Sequence, residues 1–208
     1  MNTDQSLGEE IANSISHGIG FLGAVAVTPV LIVTAVPSGG AAIVGASIFG
    51  ATMIILYLVS CLYHAFPQNR AKRLFQIFDH GAIFLLIAGT YTPFTLGVLK
   101  GAWGWALFGA VWGMALFGVV LKSVGGPRSG KLSTGLYLVM GWLAVIAARP
   151  LYINMSAGGL FWLVAGGVMY SGGVYFFVMD NRIKYSHFIW HIFVLAGTAC
   201  HVIAVFKS

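Results

Sequence analysis

The sequence predicts an all-α membrane protein, a seven-transmembrane helix bundle with its N-terminus cytoplasmic and its C-terminus outside. Three observations predict it. The 208 residues are 59% hydrophobic and only 8% charged, with a mean hydropathy of +0.90, whereas a soluble domain carries roughly 25% charged residues. The apolar residues gather into seven runs, each long enough for a bilayer crossing of about 20 residues. Lysine and arginine concentrate in alternate connections, the asymmetry that sets membrane orientation.

The elements follow in order. The polar start MNTDQSLGEE lacks the basic region of a cleavable signal peptide, so the first run, at about 14–36, is expected to remain as a helix. The turn PSGG leads to a second run at about 41–66, and PQNRAKRLF to a third at about 76–98. Pro93 near the end of the third is expected to kink it and to leave backbone groups for polar neighbours to satisfy. LKGAW opens the fourth run, about 103–122, where Trp103 and Trp105 read as packing residues or interfacial anchors, as does Trp142 further on. KSVGGPRSGK, RPLYINMS and DNRIK separate the last three, at about 132–150, 157–179 and 185–206. The 28 glycines fall largely inside the runs, where small residues let helices approach closely. No internal repeat is visible, and residues 1–208 read as a single seven-transmembrane domain.

One set of connections holds Arg70, Lys72, Arg73, Lys122, Arg128, Lys131, Arg182 and Lys184; the other holds only Lys100, Arg149 and Lys207. The larger set shares a side with the N-terminus, which makes that side cytoplasmic. The net charge of +6 is therefore a matter of topology, and no nucleic-acid partner is expected. Cys61 and Cys200 fall toward opposite membrane faces and belong to no CxxC pair, so neither a disulfide nor a thiolate metal site is expected.

The histidines carry the functional signal. In that topology His17, His64, His80, His187 and His191 lie at one depth near the cytoplasmic side, together with Asp79. His201, ten residues beyond His191 and so about 15 Å along a helix, lies toward the other face. Ionisable groups inside a membrane are costly and face the bundle interior, paired or functional. His187 and His191, four residues apart in HFIWH, project from one helix face and can offer two imidazoles to one ion. His64 is the best third ligand, with Ser60 one turn earlier on the same face. Three imidazoles and an open position form a catalytic zinc pattern, although imidazole also suits copper, nickel or iron.

Asp79 has two possible tasks: to bind the metal directly, or to act as general base on its water. The second is preferred, because three histidines and a water already fill a tetrahedron. The competing explanation is an acid favoured by a helix N-terminus. Glu10, Asn13 and His17, spaced by three and four, share one helix face and would support the ligating histidines; an interfacial polar stripe would look the same. His80 is rotated about 100° from Asp79 and is a secondary candidate. Tyr63, Tyr91 and Thr92 are candidate cavity residues, and His201 reads as a hydrogen-bonded bundle residue.

EIANSISHGIG (Glu10 to Gly20), SCLYH (Ser60 to His64), FDHGAIF around Asp79 and HFIWH resemble the hemolysin III family, over nearly the whole chain. That family is the bacterial branch of the progestin and adiponectin receptor family, related more distantly to alkaline ceramidases. The resemblance implies seven helices in the bacterial inner membrane and a zinc ion near the cytoplasmic leaflet. By motif match the ion is held by His64, His187 and His191, with Asp79 reaching it through water and Ser60 in support. It implies hydrolysis of a lipid amide or ester, with membrane lipids, ceramide-like or otherwise acylated, as partners. A non-enzymatic homeostasis or receptor-like protein with a structural zinc is the alternative. A haemolytic pore is the third, disfavoured because the polar residues collect at one end.

Overall fold

The computed structural model describes residues 5–99, 101–125 and 130–208. Lys100 and Arg128, two of the charges weighed for orientation, and residues 1–4 of the polar start lie outside them. Seven helical stretches are long and apolar enough to cross a membrane, and there is no strand among the described residues.

Helix α1 (Leu7–Ala35) starts at a capping box. The Ser6 hydroxyl accepts from the Glu9 amide, and the Glu9 carboxylate accepts from the Ser6 amide at 2.9 Å. A short 3₁₀ turn, Val36–Ser38, and Gly39 in a left-handed conformation (φ 92°) reverse the chain into α2 (Gly40–Ala65). Helix α3 (Arg70–Pro93) is capped by Asn69, whose side chain accepts from the Lys72 amide. The α-helix ends at Pro93, but the chain stays helical to Leu99. Beyond Pro93, which has no N–H to donate, the chain widens into a π-helical turn at Phe94–Leu99. The Thr92 hydroxyl bonds back to the Ala88 carbonyl and receives the Trp112 indole N–H.

Helix α4 (Gly101–Gly125) runs back along α3. The fifth crossing is broken: α5 (Gly130–Trp142) gives way to a 3₁₀ turn, Leu143–Ala147, and then to α6 (Ala148–Asn154). Exposed polar backbone is expensive in hydrocarbon, and Tyr91 supplies the remedy. Its hydroxyl meets the Met140 and Gly141 carbonyls at 2.8 and 2.7 Å and accepts from the Ala144 amide at 2.9 Å. Helices α7 (Ala157–Val178) and α8 (Ser186–Phe206) complete the bundle. The buried residues of α7 are glycines, Gly159, Gly166 and Gly173, which lie against Lys207, His201, Trp190 and Phe193. Spaced by seven, they let α7 lie tightly on α8.

Helix α3 is central. One apolar cluster joins it to α1, α2 and α8 through Leu31, Phe49, Met53, Leu86 and Trp190. The other joins it to α4, α5 and α6 through Phe84, Val111, Met140 and Leu151. Large apolar side chains such as Ile15, Ile19, Leu22, Phe117 and Phe161 point outward, as they must where the solvent is lipid. This is an integral membrane protein.

Candidate metal centre

Two helices bring three imidazoles together. His64 stands in the last turn of α2, and His187 and His191 in the first two turns of α8. All three are buried, and one ring nitrogen from each lies within 4.8 Å of the others. The ring centroids are 5.1 Å apart for His64–His187 and for His64–His191, and 4.9 Å for His187–His191. Among the described residues they form the one such group able to hold a metal ion.

The outward nitrogens reveal the protonation of the rings. His64 Nδ1 lies 2.7 Å from Glu10 Oε2, and His187 Nδ1 lies 3.3 Å from Asp180 Oδ2. His191 Nδ1 meets the Asn13 carbonyl at 3.2 Å and the Ser16 hydroxyl at 3.0 Å. Ser16 spends its own proton on the Asn13 carbonyl at 2.8 Å, so toward His191 it accepts. Every outward partner is an acceptor, so each neutral ring carries its proton on Nδ1 and keeps the Nε2 lone pair. His64 Nε2 is buried with no hydrogen-bond partner. A buried acceptor left unsatisfied costs about 1–3 kcal/mol. A single cation among the three rings would satisfy it together with a nitrogen of each of the other two. The donor set fits a divalent metal ion with imidazole affinity.

The remaining marked residues divide. Ser60 and Asp79 are buried side by side and line a cavity that also includes His17, His187 and His191. Asp79 is outside the group of three nitrogens able to share an ion. Helix α3 begins at Arg70, so Asp79 is more than two turns past its start, and a helix N-terminus does not explain it. Glu10 and Asn13 lie behind two of the three rings, Glu10 meeting His64 through its carboxylate and Asn13 meeting His191 through its carbonyl. His17 stacks flat on His191, centroids 3.5 Å and planes 4° apart, and neither of its ring nitrogens has a hydrogen-bond partner. His80 points elsewhere, edge-on to Phe177, although it lines the same cavity. His201 Nε2 reaches the Leu163 carbonyl at 3.2 Å. Tyr91 lines the cavity; Tyr63 lies beside the His64 ring.

The cavity measures about 440 Å³ and runs from the histidines along α3, α7 and α8 to His201. Leu86, Ile87, Leu163 and Val194 make its wall apolar. Trp142 and Val145 of the broken crossing and Val164 of α7 line it and are also exposed on the outside of the bundle. It therefore opens sideways between α5 and α7.

Three residues of this centre escaped the sequence reading. Lys72, weighed as a loop charge, is buried; its ammonium meets Glu10 Oε1 at 2.6 Å and the Phe66 carbonyl at 3.2 Å. Its spacing from Asp79, seven residues and hence one helix face, was the available signal. Lys122 is likewise buried within α4, near enough to Asp79 and His80 to act on both electrostatically. Asp180 lies in the turn after α7, where no periodicity marks it.

A family model described as Haemolysin-III related matches residues 5–202. The chain is 44% identical to Hemolysin-3 of Bacillus cereus over 196 residues, 94% of this chain and 89% of that protein. It is 46% identical to the Hemolysin-3 homolog of Bacillus subtilis (strain 168) over 192 residues, 92% and 90% of the two chains. The human monocyte to macrophage differentiation factor is 26% identical over 177 residues, 77% of this chain and 68% of that one. A match spanning nearly every described residue, on a seven-helix bundle, makes this chain a member of the haemolysin-III related family.

Proposed function

We propose that the protein is a zinc-dependent intramembrane hydrolase acting on an amide or ester of a membrane lipid. The observation that carries the reading is the set of outward acceptors, which leaves three imidazole lone pairs turned on one point beside an apolar cavity. His64, His187 and His191 hold the ion. Zinc in such a site supplies Lewis acidity and makes water acidic near neutral pH.

The chain's own groups do the rest. The Asp79 carboxylate accepts the proton of the attacking water, and the Ser60 hydroxyl donates to the carbonyl oxygen as charge develops there. The apolar cavity takes the acyl chain, and at about 440 Å³ it falls within the range of small-molecule pockets, about 300–1,000 Å³. The opening between α5 and α7 lets the chain enter from lipid. The N-terminus is cytoplasmic and the site lies in the inner leaflet; Arg70, Arg73, Lys131, Arg182 and Lys184 support this, since all sit at the metal end of the bundle.

Purified protein in lipid nanodiscs, incubated with labelled ceramides, phospholipids and acyl esters, tests the reading. Product is expected from zinc-loaded protein and not from chelated protein. Asp79→Ala is expected to keep its zinc and lose turnover. Zinc-loaded protein that turns over no lipid class would instead support a structural ion in a membrane-homeostasis protein.

A further inference from the structure

The three ligands are not backed alike. Glu10, behind His64, is already matched by the Lys72 ammonium at 2.6 Å. His191 is backed by a carbonyl and a hydroxyl, both neutral. Asp180, behind His187, has a side chain only 6% exposed and pairs with no lysine or arginine among the described residues. Its other contact is neutral: the Gln5 amide nitrogen donates to the same oxygen, Oδ2, at 3.3 Å. A carboxylate buried without a cation is costly. The titratable side chain that meets it is His187.

Asp180 is also held in place from outside the site. The Gln5 carbonyl oxygen accepts from the Asn13 amide at 2.8 Å, so one side chain joins Asp180 to the segment that backs His191. Five residues on, Tyr185 adopts a left-handed conformation (φ 58°), which is rare for a residue other than glycine and costs energy. In that conformation its amide donates to Glu9 Oε1 at 2.8 Å, and its ring lies over Gly8. The α7–α8 turn is thus fastened to the start of α1 directly over the histidines.

We propose that Asp180 is the positioning residue of the metal centre: it holds His187 by Nδ1–H with Nε2 on the ion, and it supplies behind that ligand a negative charge that no lysine or arginine matches. This rests on the metal reading above. A ligating histidine whose ring N–H is held by a carboxylate is oriented and made more basic, and loss of such a partner typically costs 10–100-fold in metal affinity.

The test uses full-length protein in nanodiscs, stripped with a chelator and titrated with zinc against a fluorescent competitor. Asp180→Ala is expected to weaken zinc binding about 10–100-fold. Asp180→Asn is expected to fall between Ala and wild type, because its carbonyl still accepts from Nδ1–H but carries no charge. A merely structural role would lower the melting temperature of the stripped protein and leave the zinc affinity of the folded fraction unchanged; that result overturns the proposal. Should Asp180→Ala fail to fold, Asp180→Asn decides: weaker binding supports the proposal and wild-type affinity overturns it. Wild-type protein that binds no divalent ion would bring down the metal reading itself, a failure distinct from an Asp180 variant that binds as wild type does.

Discussion

The two walls of the cavity are built differently. On one side stand the third crossing, with 61% of its most apolar stretch buried, and the second and seventh, with 44% each; on the other stand the fifth and sixth, with 22% and 11%. The first wall is tied by side chains that cross between helices, two of them reaching in from the first crossing, itself only 17% buried by the same measure: Glu10 to His64 and Lys72, Ser16 to His191, and within the wall Tyr57 to Thr198. The second is interrupted in mid-membrane, repaired by Tyr91, and joined to its neighbour through an exposed bond from the Trp142 indole to the Ser171 hydroxyl at 3.0 Å. Lipid gives no hydrophobic drive for one helix to seek another, so packing and polar bonds decide which helices hold fast. Buried polar ties gather at the end of the bundle that holds the three histidines, and the bond at the mouth of the cavity is an exposed one.

Substitutions on the two walls should therefore differ in kind. The largest effect is expected on the tied wall. Glu10→Ala strands the buried Lys72 ammonium and frees the His64 ring, and should cost about 3–5 kcal/mol of stability, as removal of one partner of a buried ion pair does. Zinc affinity should fall with it, by about 10–100-fold; thermal unfolding and competitive zinc titration measure the two. Glu10→Gln, which still accepts from His64, should lose less of the affinity.

A smaller effect is expected where the broken crossing is repaired. Tyr91→Phe leaves two carbonyls and one amide of the fifth crossing without their partner, a loss of about 1–3 kcal/mol. Amide exchange should quicken at residues 140–147 and stay unchanged in α2 and α8, with zinc affinity intact. Exchange that quickened throughout would show the two walls to be one unit. The smallest change is expected from Trp142→Phe, within about 0.5 kcal/mol because the bond it removes is exposed. A large drop in melting temperature would mean that the cavity mouth is held as firmly as the metal end.

Much of this was legible beforehand. Seven crossings follow from apolar runs, and HFIWH places two imidazoles on one face because a helix turns 100° per residue. Other residues were hidden by their position. Lys72 and Lys122 sit near helix ends, where a charge looks solvated; both are buried, and the partner that Lys72 turns to, Glu10, is distant in sequence. The break at Leu143–Ala147 did carry a local signal, Pro150, which has no N–H to offer the Ile146 carbonyl, but that proline reads in sequence as part of the connection RPLYINMS. Pro93, which also announces a break, is followed by chain that stays helical to Leu99.

The sequence by itself determined that this chain lives in lipid, how many times it crosses, and which side chains are too polar to be there without a task. Those properties are local: composition, run length and helical period are carried by neighbours along the chain. Only the tertiary structure decided which nitrogen of each histidine is free, which carboxylate already has its lysine, and which side of the cavity opens. Each of those depends on partners up to 178 residues apart, and the distance and direction of a partner across a bundle are not written into either segment alone.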